Sequence, residues 1–268
     1  MGVFINNEIH WNKPMDIPNQ VLQLENSNVP ARKVFENFLK RKYGSIAQLN
    51  TVWKSNFKTF RSINNSSKDF SAFFKEDMLA FFNFYVETYY KTVSEKFKQV
   101  FPNHLYLGSR LHSSAKNNKY IFASAEPYVD VISINYYGYW QPQQKDISDW
   151  VNWSNKPFFI TEFYTKAEDS GMPNVSGAGW LVKTQLDRGI HYQNFTMQLL
   201  MAKNCVGWHW FRYQDNDPND PTADPSNNDS NKGIVNTQYQ VYEILAEKMK
   251  SINDKKYQII KYFDSFKK

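Results

Sequence analysis

Val3-Phe4-Ile5-Asn6-Asn7-Glu8 and Phe158-Phe159-Ile160-Thr161-Glu162-Phe163 are two apolar runs of strand length, each arriving at a glutamate. Short apolar runs of this kind read as buried strands, and these two decide the fold. Outward from them, residues 104–110, 130–137 and 206–213 read as three more strands, the second carrying the run Val131-Ile132-Ser133-Ile134. Helical patterns lie between. Pro30 stands at a favoured first-turn position and Gly44 follows the last periodic residue. Residues 46–53 read as a short helix. Residues 69–100 form the longest helical stretch, with Phe73, Phe74, Phe81, Phe82, Tyr85 and Tyr89 at core-facing spacing. Residues 185–203 and 238–252 complete the set. Residues 9–28, with Pro14 and Pro18, read as a long irregular loop, and residues 64–68 as a polar surface loop. Strands alternating with helices predict an α/β fold with a parallel sheet. The expected layout is one domain over residues 1–252 and a basic amphipathic tail over 253–268.

The chain has 268 residues, 41% of them apolar, which suffices for a buried core. Its net charge of +6 comes from scattered lysines, many paired with acids on helices, as Lys91 with Glu95 and Glu36 with Lys40. No basic stripe points to nucleic acid. No apolar run is long enough to cross a bilayer, so no membrane partner is expected. The one cysteine, Cys205, excludes an internal disulfide and reads as a small buried hydrophobe. The aspartates of residues 215–232 lack the ordered spacing and glycine of a calcium loop. That stretch reads as a plain loop, and neither a metal nor a cofactor is expected. The first residues lack the charged start and apolar stretch of a signal peptide, which leaves localisation open. The chain holds 21 Phe, 17 Tyr and 8 Trp. The cluster Trp208-His209-Trp210-Phe211-Arg212-Tyr213 is denser in rings than a core strand needs, and sugar rings pack well on flat aromatic faces.

Two carboxylates delivered by separate strand ends are the minimal equipment for cleaving a glycosidic bond. Hydrolysis with retention needs one carboxyl group to protonate the leaving oxygen and a second, roughly 5–5.5 Å away, to attack the anomeric carbon. Glu8 and Glu162 each end a strongly apolar strand, where an unpaired charge is costly. Asn7 stands ready to donate to a sugar hydroxyl, and Tyr137 to donate to Glu162 and hold it ionised. Such a site needs no cofactor.

Asn7-Glu8 at one strand end and Thr161-Glu162-Phe163 at a later one resemble the signature of the clan A retaining glycoside hydrolases. Asn135-Tyr136-Tyr137 resembles that clan's sixth strand, and Gly207-Trp208-His209-Trp210 its eighth. The runs 104–110 and 130–135, with His209-Trp210-Phe211 and Asp215, resemble the β-agarases, such as those of glycoside hydrolase family 50. The resemblance spans Val3 to about Ile252. It implies a partial (β/α)8 TIM barrel containing strands four to eight and lacking the first three βα units. It implies a retaining hydrolase of an agarose-like β-linked galactan, with Glu8 as acid/base and Glu162 as nucleophile. Asn7, Asn135, Tyr137, Trp208 and Trp210 would line the site. Arg110 and His112 would contact substrate, His112 being equally suited to a structural hydrogen bond. His10 and Trp11 would form one wall of the cleft, while His209, alternating with the tryptophans, would face the helices. Any arginine beside the nucleophile would come from an earlier strand. The family's setting implies a periplasmic or secreted protein. An oligo- or polysaccharide is the expected partner, along with association through an open barrel edge or with a missing N-terminal part. The alternative is a non-catalytic remnant that binds sugar. An unrelated doubly wound α/β protein is the third reading, and the absence of a glycine-rich phosphate loop counts against a nucleotide role for it.

Overall fold

A computed structural model of the chain describes residues 1–11, 13–65, 71–220, 222, 224 and 227–266. The single domain expected over 1–252 divides into two compact units. One comprises Ile9–His104 and Ser113–Val129, the other Met1–Glu8, Leu105–His112 and Asp130–Lys268.

The first unit is helical. It contains α1 (Asp16–Gln23), α2 (Pro30–Tyr43), α3 (Ile46–Trp53), α4 (Ala72–Val100) and α5 (Lys119–Ala125). Pro30 is the first residue of α2, and Gly44, at φ 70°, ends it. The Ser45 side chain accepts from the Gln48 amide and caps α3. Helix α1 lies within the stretch expected to be irregular. Its Pro18 falls in the first turn, where a missing N–H costs nothing, and Val21 and Leu22 are buried. Helix α5 was equally unexpected; Asn118 caps it, and Ile121 and Phe122 are fully buried. Residues 66–70, which hold most of the expected polar loop and the expected start of α4, lie outside the described residues.

Leu22, Phe35, Leu39, Leu49, Trp53, Ile63, Met78 and Phe81 form the core of this unit. Two buried charges organise it. Arg32 donates to the backbone carbonyls of Val21, Phe60, Arg61 and Ile63. Asp77 on α4 accepts from the Lys42 ammonium, the Tyr43 hydroxyl and the Trp53 indole. Truncating Asp77 to Ala strands the Tyr43 and Trp53 donors in the core. The expected loss is about 2–3 kcal/mol of stability, read from the urea midpoint; an unchanged midpoint would refute this account of the cluster.

The second unit holds the strands: β1 (Gly2–Val3), β2 (Leu105–Tyr106), β3 (Arg110–Leu111), β4 (Ile132–Asn135), β5 (Phe158–Glu162), β6 (Thr165–Ala167), β7 (Trp180–Val182) and β8 (Cys205–Trp208). Its helices are α6 (Gln144–Ser154), α7 (Gln185–Met201), α8 (Glu243–Asn253) and α9 (Lys256–Ser265). The strand expected over 104–110 is broken into β2 and β3 around Gly108, which sits at φ 69°. Strand β1 pairs with β2, and Asn7 bridges to Arg110 beyond it. The other main sheet runs β3-β4-β5-β8. All these pairings are parallel, and the strands follow chain order across the sheet, with β6 and β7 falling between β5 and β8 in the sequence. The small pair β6-β7 was not expected.

The helices cover one side of this sheet. On α6, Trp150 packs edge-on against Tyr136 and Phe158. On α7, which starts with a Thr184–Asp187 capping box, Phe195 stacks on Phe163 at 4.0 Å. Helix α9, in the segment expected as a tail, packs with α8 against α7. Burial pushes the Cys205 thiol up to about 12, so this cysteine stays protonated. Asp215 is buried and accepts from the Asn231 side chain, the Lys232 and Gly233 amides and the Tyr242 hydroxyl. It organises the loop that follows, of which residues 221, 223, 225 and 226 lie outside the described residues. Among the described residues no helix is long and apolar enough to cross a membrane.

Candidate active site

Four parallel segments deliver polar side chains to one place. Asn135 ends β4, Glu162 ends β5, Arg110 begins β3, and Glu8 follows β1. Asn135 is fully buried and sits between the carboxylates. The Thr161 hydroxyl donates to Asn135 Oδ1 at 2.6 Å, which fixes the amide orientation. Its Nδ2 end then donates to Glu8 Oε1 at 2.7 Å. The same amide also stabilises the charged form of Glu162.

Glu162 is 6% exposed. Arg110 Nη1 donates to its Oε1 at 2.6 Å, and the Tyr137 hydroxyl donates to Oε2. Burial pushes the Glu162 carboxyl up from its ordinary range, and the charge of Glu8 adds to the rise. The Tyr137 hydrogen bond and the Arg110 charge pull the other way. Both oxygens accept from fixed donors, an arrangement that suits the carboxylate form. Tyr137 itself is pushed well up, by burial first and then by Glu162, so it remains a donor.

Glu8 is in a different setting. It is part-exposed, and His112 Nδ1 lies 3.6 Å from its Oε1. Its backbone is in the left-handed region, at φ 46°. For a non-glycine residue this costs on the order of 1–3 kcal/mol and persists only where the surroundings enforce it. Here the Ile5 amide donates to Gly108 and Asn7 bridges Arg110, so the chain entering Glu8 is tied down on β2 and β3. Asn7, next to Glu8 in the chain, is exposed.

Arg110 was expected as a substrate contact; the structure pairs it with Glu162. No earlier strand is needed to supply a cation beside that residue. The guanidinium also lies over the Phe4 ring at 5.5 Å. Trp11, expected in the cleft wall, is 3% exposed and packs edge-on against Tyr85 and Tyr89 within the helical unit. It is a core residue there. His10 is exposed and belongs to the same helical unit.

The face assignment along the last strand is the reverse of the expected one. Trp208 donates its indole N–H to the Tyr192 hydroxyl on α7. Trp210 donates to the Lys232 carbonyl and packs against Phe163 and Tyr192. Both tryptophans therefore face the helices. His209 instead packs against Phe159 at 4.6 Å, and Phe159 stacks on Phe4. Burial and the Arg110 charge lower the His209 pKa and favour the neutral ring. Phe211 lies 6.1 Å from Tyr164, whose ring meets Tyr137 at 5.5 Å. His209, Phe211 and Tyr164 are thus site-side residues that the sequence reading missed. A signal existed in Gly207. A Cβ there would come within 3.1 Å of the Phe159 ring, so the glycine marks the face that the odd-numbered residues share.

Among the described residues no group of three or more His, Cys, Asp or Glu side chains is placed to hold a metal ion. The site thus pairs two carboxylates at the C-terminal side of parallel strands, one of them braced by a cation and a phenol. Over nearly its whole length the chain is similar to β-agarases. It is 30% identical over 273 residues to β-agarase B of Vibrio sp. (strain JT0107), a match covering 97% of this chain and 27% of that one. The crystal structure of BpGH50 is 37% identical, with a TM-score of 0.77 over 98% of this chain and 51% of that chain. The structure of an exo-β-agarase is 28% identical, with a TM-score of 0.85 over 97% of this chain and 35% of that chain. The chain spans about a quarter of the length of the curated relatives it matches. No family model matches it.

Proposed function

We propose that this chain carries the catalytic carboxylates of a retaining glycoside hydrolase acting on an agarose-like β-linked galactan. The five parallel segments, laid side by side in chain order, would then be an arc of a (β/α)8 barrel, strands four to eight. The observation that carries the reading is Asn135, whose single amide reaches Glu8 and also favours ionised Glu162. One amide serving both groups supports a separation within the span of one sugar ring, the condition for double displacement. In the first step Glu162 attacks the anomeric carbon as Glu8 gives its proton to the departing oxygen. In the second, Glu8 takes a proton from water, which displaces Glu162 with overall retention. Asn7, exposed and next to Glu8 in the chain, would bind the hydroxyl next to the reacting carbon, and His112 would brace Glu8.

Two measurements test this. Agaro-oligosaccharide hydrolysis followed by NMR should give the β-anomer first; an α-anomer as first product would exclude double displacement. A chain inert on both agaro-oligosaccharides and aryl β-galactosides, yet able to bind the former, would establish the sugar-binding remnant instead.

The role of Arg110 yields a signed pH effect. Its charge lowers the Glu162 pKa, so Arg110→Met raises it. Attack requires the ionised carboxylate, so the acidic limb of the kcat/KM profile should move to higher pH. A limb that stays in place, or moves to lower pH, would remove Glu162 as the group titrating there.

A further inference from the structure

The excursion between β5 and α7 carries exposed aromatic surface that the site chemistry does not use. Trp180 on β7 is 48% exposed and Leu181 beside it 50%. The Trp180 ring lies 6.3 Å from that of Trp140, in the segment after β4, with the planes 37° apart. Trp140 is backed edge-on by His191, and neighbouring Tyr139, itself 37% exposed, is backed by the Tyr136 ring at 4.8 Å. Flat rings with a second aromatic layer behind them are poor solvent-facing surface unless something covers them.

The excursion is tied down by hydrogen bonds. Buried Lys166 on β6 donates to the carbonyls of Asn174, Ser176 and Gly177. Asp229 accepts from the amides of Val175 and Ser176. Thr165 is in register with Trp180, so β7 is anchored three residues past Glu162. A chain of ring contacts also links the excursion to the carboxylates. Gly179 lies against the Tyr164 ring so closely that a Cβ would come within 2.6 Å of it. Tyr164 in turn meets Tyr137, the donor to Glu162.

We propose that Trp180 and Trp140 form an outlying saccharide subsite that stacks on a ring of the galactan chain some distance from the scissile bond. This inference rests on the galactan reading above. A platform fixed in place before binding loses little side-chain freedom when a sugar docks, and its link through Tyr164 and Tyr137 to Glu162 favours one extended glycan over a separate protein partner.

The test is calorimetric titration of the Glu162→Gln protein, with and without Trp180→Ala, using agaro-di-, tetra- and hexasaccharides. The loss should grow with chain length, to about tenfold for the hexasaccharide and under about twofold for the disaccharide. Trp180→Phe should recover most of it, and circular dichroism should show the fold intact in both variants. Equal weakening at every length, or none at all, overturns the subsite while leaving the galactan reading standing, because the parent still binds. Unchanged affinity together with a changed sedimentation coefficient gives the surface to a protein contact and also overturns it. A parent that binds none of the three sugars overturns the galactan reading, and the subsite falls with it.

Discussion

Glu162→Gln is expected to lower kcat on agaro-oligosaccharides or aryl β-galactosides by about a thousandfold or more, equivalent to about 4 kcal/mol of lost transition-state stabilisation. The amide is nearly isosteric and still accepts one bond, from Arg110 or Tyr137, so the pocket keeps its shape. It lacks the negative charge that must form the glycosyl bond. Binding should survive, because the surrounding donors are untouched. The variant therefore separates affinity from turnover, and turnover near the parent level would take Glu162 out of the nucleophile role. Its brace against Arg110 and Tyr137 would then need another purpose.

Glu8→Gln should behave differently with different substrates. With an oligosaccharide, whose departing oxygen needs a proton, the expected loss is about 10²–10⁴-fold. With an aryl galactoside bearing a strongly electron-withdrawing ring, the departing phenolate is stable without a proton, and the glycosyl-transfer step is largely spared. An equal loss on both substrates would refute the acid/base assignment. The two carboxylates thus give different substrate patterns, a uniform loss for Glu162 and a leaving-group-dependent one for Glu8, although one amide touches both environments.

Much of this was legible in the chain. The apolar runs ending at Glu8 and Glu162 are short and unbroken, the composition expected of strands in a parallel sheet. Pro30 and Gly44 are local signals that tertiary structure did not override; along α4, Phe74, Phe81 and Phe82 are buried as expected, whereas Phe73 and Tyr85, expected to face the core, are exposed. Helices α1 and α5 were hidden because short amphipathic turns next to prolines or asparagines look like loops until their apolar face is buried. The faces of the last strand were hidden for another reason. Trp208 and Trp210 were read by ring chemistry, but an indole N–H needs an acceptor, and the acceptors lie on the side of α7 and Lys232. Trp11 failed in the same way: closeness in sequence to Glu8 says nothing about which core a large ring will fill. The pairing of Arg110 with Glu162 was not legible, because no sequence pattern shows that Glu162 sits beside it, 52 positions away.

The alternation along the last strand has an evolutionary consequence. The two indoles anchor the scaffold from behind, while His209 and Phe211 project the opposite way. Anchoring and exposure toward the carboxylate side therefore fall on interleaved positions of one short segment. Substitution at 209 or 211 leaves the two indole hydrogen bonds in place, so the two sets of positions can vary independently.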